Sequence, residues 1–295
     1  MTAITRPSLG ILLLVCAAVL WGLIGPVSKL IFDQGMPPLE SAFWRGVLAG
    51  MAFFIHWLVK RYPLPATPRD WLGILIFGIF GVALLEGSYV LAVKHGGAAL
   101  ASILLYSAPI WVNLASLLFF KETIPKRRWL ALTLTFIGVV GLCLAGGSVA
   151  FSPIALTWGL LAGVSYAGFY VSGKIFFTRL HPVTVYMIAF PVASLILLPV
   201  TANNSNHSPI HMVAGIFNYS RVTWAACFFV GIIATYLPYL LYGAGLRLVD
   251  AGRAAIITTV EPVVAVLVAS LALGERFTVL GYIFSIFVLI GVAMS

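Results

Sequence analysis

Residues 71–93, WLGILIFGIFGVALLEGSYVLAV, and residues 224–246, WAACFFVGIIATYLPYLLYGAGL, stand 153 positions apart and read as one pattern written twice. Trp71 falls on Trp224, Gly78 on Gly231 and Tyr89 on Tyr242. Glu86 is the one charged residue in either stretch. A bilayer core about 30 Å thick is crossed by roughly 20 apolar residues at 1.5 Å rise each. Both stretches therefore read as transmembrane helices, the second a copy of the first.

The same register runs to the C-terminus, pairing Ala101 with Ala254, Pro109 with Pro262, Glu122 with Glu275 and Ile137-Gly138-Val139 with Ile290-Gly291-Val292. Upstream, an offset of 145 pairs Lys29 with Lys174, Phe32 with Phe177 and Pro37 with Pro182, so a joint eight residues longer before Trp224 reconciles the two offsets. Trp, Pro and Glu are types that a shuffled apolar chain would rarely align. The repeats divide as 1–147 and 148–295. Apolar runs broken by charged or Pro/Gly-rich joints place helices at about 9–32, 38–59, 71–93, 97–120, 128–146, 154–177, 182–201, 222–246, 251–273 and 277–295. Five is odd, so the second unit enters the membrane from the opposite side. The expected fold is an all-α membrane protein of ten transmembrane helices built as two inverted five-helix repeats, an architecture suited to alternating access.

Composition agrees. The chain is 62% hydrophobic and 8% charged, with mean hydropathy +1.09, whereas a soluble domain carries about a quarter charged residues. The net charge of +9 does not form a stripe for nucleic acid; the basic residues cluster at helix ends. With the N-terminus inside, the cytoplasmic joints hold twelve Lys and Arg, from Arg6 to Arg253, against Lys29, Lys94, Arg221 and Arg276 outside, which puts both termini in the cytoplasm. Cys16, Cys143 and Cys227 lie inside apolar spans without paired spacing, and read as buried free thiols. The first segment is read as a retained helix, since no small-residue cleavage site follows it.

Several strings resemble the drug/metabolite transporter superfamily, in its ten-helix EamA-like branch: Leu20-Trp21-Gly22 with Lys29, Arg45, Leu104-Leu105-Tyr106-Ser107-Ala108-Pro109 leading to Lys121-Glu122, then Arg253-Ala254-Ala255, Glu261-Pro262 and Leu273-Gly274-Glu275-Arg276. The resemblance implies a secondary transporter, in many members an exporter of metabolites or toxic compounds. It also implies a central cavity lined chiefly by helices 3, 4, 8 and 9, with helices 5 and 10 at the edges. The second half departs from the first: Tyr166-Ala167 replaces Trp21-Gly22, and Phe190 or a neighbour replaces Arg45.

An ionisable group in hydrocarbon is costly unless paired or hydrated, so each is a candidate for function. Arg45, Glu86 and Glu261 qualify. Arg45 and Glu86 lie at similar depth, within reach of an ion pair that either locks helix 2 to helix 3 or presents charges to a substrate. Glu261 precedes Pro262, whose missing N–H opens the helix; it reads as a proton-coupling or ammonium-binding carboxylate, or as a structural one. Glu86 and Tyr89 share a helical face with repeat mates Tyr239 and Tyr242, and Thr235 lies one turn earlier. Helix 4 offers Ser102, Tyr106, Asn113 and, on an adjacent face, Trp111. Trp57, Trp71, Trp129 and Trp224 read as interfacial, Lys29 and Lys174 as snorkelling topology residues, Glu122 and Glu275 as structural, and Gly46–Gly50 and Gly159–Gly163 as close helix contacts.

No histidine has metal spacing and no phosphate-cradling loop is present, so neither a cofactor, a metal, ATP-driven pumping nor enzymatic activity is expected. The expected partners are the lipid bilayer, a small-molecule substrate and protons as coupling ion, in a prokaryotic cytoplasmic (inner) membrane. Two functions are carried forward: export of amino acids or similar small polar metabolites, and export of lipophilic cations or drugs.

Overall fold

Proline and small hydroxyl residues set the helix boundaries. In the computed structural model, which describes residues 6–119, 121, 123–146, 152–204, 219–273 and 278–295, Thr67 and Ser220 each cap a helix by accepting from the N–H three residues on, Asp70 and Thr223. The two caps are 153 residues apart, the repeat offset. Among the described residues ten apolar helical spans result, eight long enough to cross a membrane and two shorter. They are α1 (Arg6–Trp21 and Ile24–Asp33), α2 (Pro38–Lys60), and α3, which begins at Pro68–Ile76 and continues through a π-helical stretch Phe77–Ala83. The following segment Leu84–Leu105 is broken at Gly97, with φ +79°, a backbone that favours glycine. Gly97 thus ends α3, and residues 98–105 with Ala108–Phe119 form α4. Then come α5 (Lys126–Gly146), α6 (Pro153–Phe177), α7 (Pro182–Asn204), α8 (Arg221–Phe228, π-helical Phe229–Tyr236, Leu237–Leu246), α9 (Ala251–Ile257 and Val260–Leu273) and α10 (Val279–Met294). The interruptions are a finding beyond the expected ten continuous helices. Glu122, Glu275 and the 147/148 division lie outside the described residues.

Three interruptions share one cause. Pro26, Pro109 and Pro262 lack an N–H to return to the preceding turn, and the chain opens at 22–23, 106–107 and 258–259. The π-helical stretches of α3 and α8 also recur at the repeat offset.

Packing between the repeats is reciprocal: α1 lies on α8 and α3 on α6, α2 on α7 and α5 on α10. At the α5–α10 crossing, a Cβ on Gly138 would stand 2.7 Å from Val288 and 2.8 Å from the Phe284 carbonyl, while one on Gly291 would stand 2.6 Å from Thr135 and 2.7 Å from the Ala131 carbonyl. Each contact is the other shifted by the repeat. Contact of this isologous kind requires a twofold axis, as an inverted pair has. Gly46 and Gly50 face Ser194 and the Phe190–Pro191 pair, and Gly159 and Gly163 face Leu104, so both small-residue spacings serve helix approach.

Candidate functional site

The broken helices surround a cavity of about 780 Å³. Its walls come from α1 (Trp21, Ser28, Phe32), α2 (Pro37, Arg45), α3 (Glu86, Tyr89, Val90, Val93, Lys94), α4 (Ser102, Tyr106) and α9 (Glu261, Pro262). Tyr166 of α6 and Tyr239 of α8 each add one ring, and α5 adds Leu142 and Cys143. The expected helices 3, 4 and 9 are present, but α1 and α2 carry more of the wall than α8. Trp21, Tyr166 and Lys94 also line the cavity; the Trp21-Gly22 string and its counterpart Tyr166-Ala167 are the feature that could have signalled the first two.

Arg45 pairs with Glu86, tying α2 to α3 within the wall. Glu261 interacts with Tyr106 and Arg45 and sits near Glu86, so one guanidinium faces two carboxylates. The Tyr89 hydroxyl lies 3.3 Å from Ser102 Oγ. Tyr239 packs edge-on against Trp21 at 5.3 Å and against Phe190 at 5.0 Å. Behind Glu261, the Tyr170 hydroxyl is 2.5 Å from Thr258 Oγ1 at the α9 opening, which holds that break in place. A polar floor with three ionisable groups under aromatic walls results, a place for a small molecule with an apolar body and an ionic end.

Six of the ten expected site residues line this cavity: Arg45, Glu86, Tyr89, Tyr106, Tyr239 and Glu261. Four stand outside. Expecting Trp111 and Asn113 there assumed a continuous α4; the opening at 106–107 turns its second half, so Trp111 is 36% exposed on the outer surface and Asn113 donates to the Pro109 carbonyl at 2.8 Å and meets Gly252 of α9. Thr235 is buried in the π-helical stretch of α8, where the extra residue per turn changes the phase against Tyr239. Tyr242 is fully buried among Trp21, Phe169 and Tyr170, because inversion places it toward the face opposite its mate Tyr89.

The cavity reaches the helix ends at Phe32, Pro37, Lys94 and Ala98, and so opens on the face where α1 ends. The other face is sealed. Lys174 Nζ donates to the carbonyls of Leu246 at 2.8 Å and Val249 at 2.6 Å, a role beyond the snorkelling expected of it. Arg247 Nε donates to the Phe177 carbonyl at 2.8 Å. Arg128 pairs with Asp250 at 3.0 Å and Arg179 with Asp70 at 3.3 Å. Tyr62 stacks on His181 at 3.6 Å, nearly parallel. Burial, then the charge of Arg247 and the nearness of His56, push the His181 imidazole down to about 4, so it is neutral at pH 7.

Among the described residues no three His, Cys, Asp or Glu gather as a metal site. The profile of the EamA-like transporter family matches residues 8–144 and again 153–295, one match per repeat. The chain is 28% identical over 277 residues to an uncharacterized transporter of Archaeoglobus fulgidus, covering 92% of each. It is 28% identical over 302 residues to the uncharacterized inner membrane transporter YicL of Salmonella typhimurium, covering 97% of this chain and 94% of the relative. A solved crystal structure aligns with TM-score 0.77 at 18% identity over 97% of both chains, which shows a common fold. Ten apolar spans, reciprocal packing and a family match over both halves lead to one conclusion: the chain belongs to the EamA-like transporter family and is a multi-pass membrane transporter of two inverted repeats.

Proposed function

We propose that the protein is a secondary transporter that exports amino acids or similar small polar metabolites by alternating access. The observation that carries this reading is the cavity floor, where Arg45, Glu86 and Glu261 meet under Trp21, Tyr106, Tyr166 and Tyr239. A zwitterion presents a carboxylate for Arg45 and an ammonium for the acid that Arg45 does not hold. The rings shelter the apolar remainder of the substrate. Trp111, Asn113, Thr235 and Tyr242 then support the helices instead of touching substrate.

Both termini lie in the cytoplasm in this reading, from the twelve-to-four bias of Lys and Arg, with the repeats dividing at 147/148. The cavity accordingly faces outward. Glu261 is the group best placed to exchange a proton for substrate, and supplies the coupling.

Export of lipophilic cations is a second reading, favoured by one observation. Two carboxyl groups stand against one guanidinium inside an aromatic cage, which is the chemistry of cation recognition. Counterflow in proteoliposomes against amino acids, nucleosides and cationic dyes, with and without a pH gradient, decides between them. Exchange of zwitterions supports the first reading; exchange confined to the dyes replaces it with the second.

A further inference from the structure

Four residues of the seal have repeat mates in the open cavity wall. Gly173, Phe177, Gly243 and Leu246 of the seal correspond to Ser28, Phe32, Val90 and Val93, all of which line the cavity. On the sealed face these positions are in contact: a Cβ on Gly173 would stand 3.2 Å from Leu246, and one on Gly243 3.7 Å from Phe177. The same positions are packed together on one face and parted by the cavity on the other.

Two cations cross the seal in opposite directions. Lys174 leaves α6 for the last carbonyl of α8, Leu246, and for the Val249 carbonyl in the turn just beyond it. Arg247 leaves α8 for the terminal carbonyl of α6, Phe177. The last four carbonyls of a helix have no partner within it and carry the negative end of its dipole, so a cation there is favoured. These acceptors belong to the backbone, and any residue at the mate position supplies one. The donors do depend on side chain, and both mates are basic: Lys29 for Lys174 and Lys94 for Arg247.

We propose that these four residues are alternating latches. Lys174 and Arg247 hold the face that is now sealed. In the opposite state Lys29 donates to the Val93 and Gly96 carbonyls of α3, and Lys94 to the Phe32 carbonyl of α1. One latch forms as the other breaks, which keeps the two states close in free energy while leaving the intermediate with neither. This inference rests on the alternating-access reading above and adds to it the groups that time the exchange.

The test uses the full chain, with Cys16→Ser, Cys143→Ser and Cys227→Ser, in lipid nanodiscs. Spin labels at Thr178→Cys and Leu248→Cys report the sealed face. Their repeat mates, Asp33→Cys and His95→Cys, report the open one. Lys174→Met is expected to move weight from short to long distances on the Thr178–Leu248 pair and from long to short on Asp33–His95, changing the population ratio by about tenfold, as loss of charged hydrogen bonds implies. Lys29→Met is expected to move both pairs the other way, and Lys174→Arg, which still donates, to keep the parent distributions. If Lys174→Met does not fold, Lys29→Met and Lys94→Met carry the test from the open face. Parent distributions in Lys174→Met and Lys29→Met, shifts of those two in the same direction, or, in the fallback, parent distributions in Lys29→Met and Lys94→Met overturn the latches alone. A parent protein whose Thr178–Leu248 distance stays single and short during measured flux overturns alternating access, and the latches with it.

Discussion

Arg45 of α2 and Glu86 of α3 form an ion pair at the two positions whose repeat mates, Phe190 and Tyr239, meet ring to ring at 5.0 Å. The duplicated scaffold thus brings the same two helices together twice and fills the junction once with charge and once with aromatics. The charged junction lies in the cavity wall, and Tyr239 of the other reaches the cavity from behind. A purely structural pair would gain nothing from charge there, since replacing a buried pair by apolar side chains is often neutral or stabilising.

Glu86→Gln should therefore reduce flux at least tenfold in proteoliposomes while folded yield is unchanged, because the amide keeps the shape and loses the charge. Arg45→Met is the harsher change, for it strands Glu86 beside Glu261, and breaking a buried pair costs about 3–5 kcal/mol where burial is complete. Both Arg45 and Glu86 keep some exposure to the cavity, 14% and 20%, so the cost should fall below that range. A lowered thermal midpoint together with lost flux is the expected signature of Arg45→Met. Full flux in Glu86→Gln would remove this carboxylate from the site.

Trp21→Ala and Trp111→Ala should separate. Trp21 is 4% exposed, lines the cavity and packs on Tyr239 and Tyr242; truncating a buried tryptophan costs about 3–5 kcal/mol, and flux should fall at least tenfold. Trp111 is 36% exposed and among the described residues donates to Ser107 Oγ of its own span, at 2.9 Å, so its truncation should leave flux within about twofold, since exposed substitutions are usually mild. Equal effects from the two would mean that the cavity is not the transport path.

That contrast marks how far the sequence could be read. The helices and the register of the repeat, from Trp71 on Trp224 to Ile-Gly-Val on Ile-Gly-Val, follow from residue spacing, because bilayer thickness acts locally on the chain. The position of Asn113 does not, since a stripe counted at 3.6 residues per turn fails once α4 opens at 106–107. Nor does the asymmetry between α1 and α6. Pro26 opens α1 near Trp21-Gly22, whereas its mate Val171 leaves α6 unbroken through Tyr166-Ala167, and whether one proline kinks a helix depends on neighbours that spacing does not reveal. Which face is sealed is least legible, because the repeat places matching residues at both faces.

Gly138→Leu and Gly291→Leu should destabilise the protein alike. Each would drive a side chain into a backbone carbonyl and a side chain of the opposing helix at under 3 Å, and overpacking of this kind costs about 1–3 kcal/mol. Thermal unfolding in detergent should show midpoints lowered by similar amounts, because the contacts are copies of one another. A large loss in one variant with none in the other would contradict the twofold relation at this crossing.

His181 gives the sealed face a pH dependence. Its imidazole titrates near 4 in the fold, against an ordinary 6.5, because burial, Arg247 and His56 disfavour the cation. Between those values the unfolded chain binds a proton that the native state refuses, so this part of the stability is intact above about pH 6.5 and is lost as pH falls toward 4. His181 Nδ1 also accepts from the Val183 N–H at 3.3 Å at the start of α7. Asparagine can keep that cap and cannot take up the proton. His181→Asn should consequently match the parent's thermal midpoint at pH 7.5 and exceed it at pH 5. Parallel pH profiles for the two proteins would show that the neutral, stacked imidazole contributes nothing to the acid sensitivity of the seal.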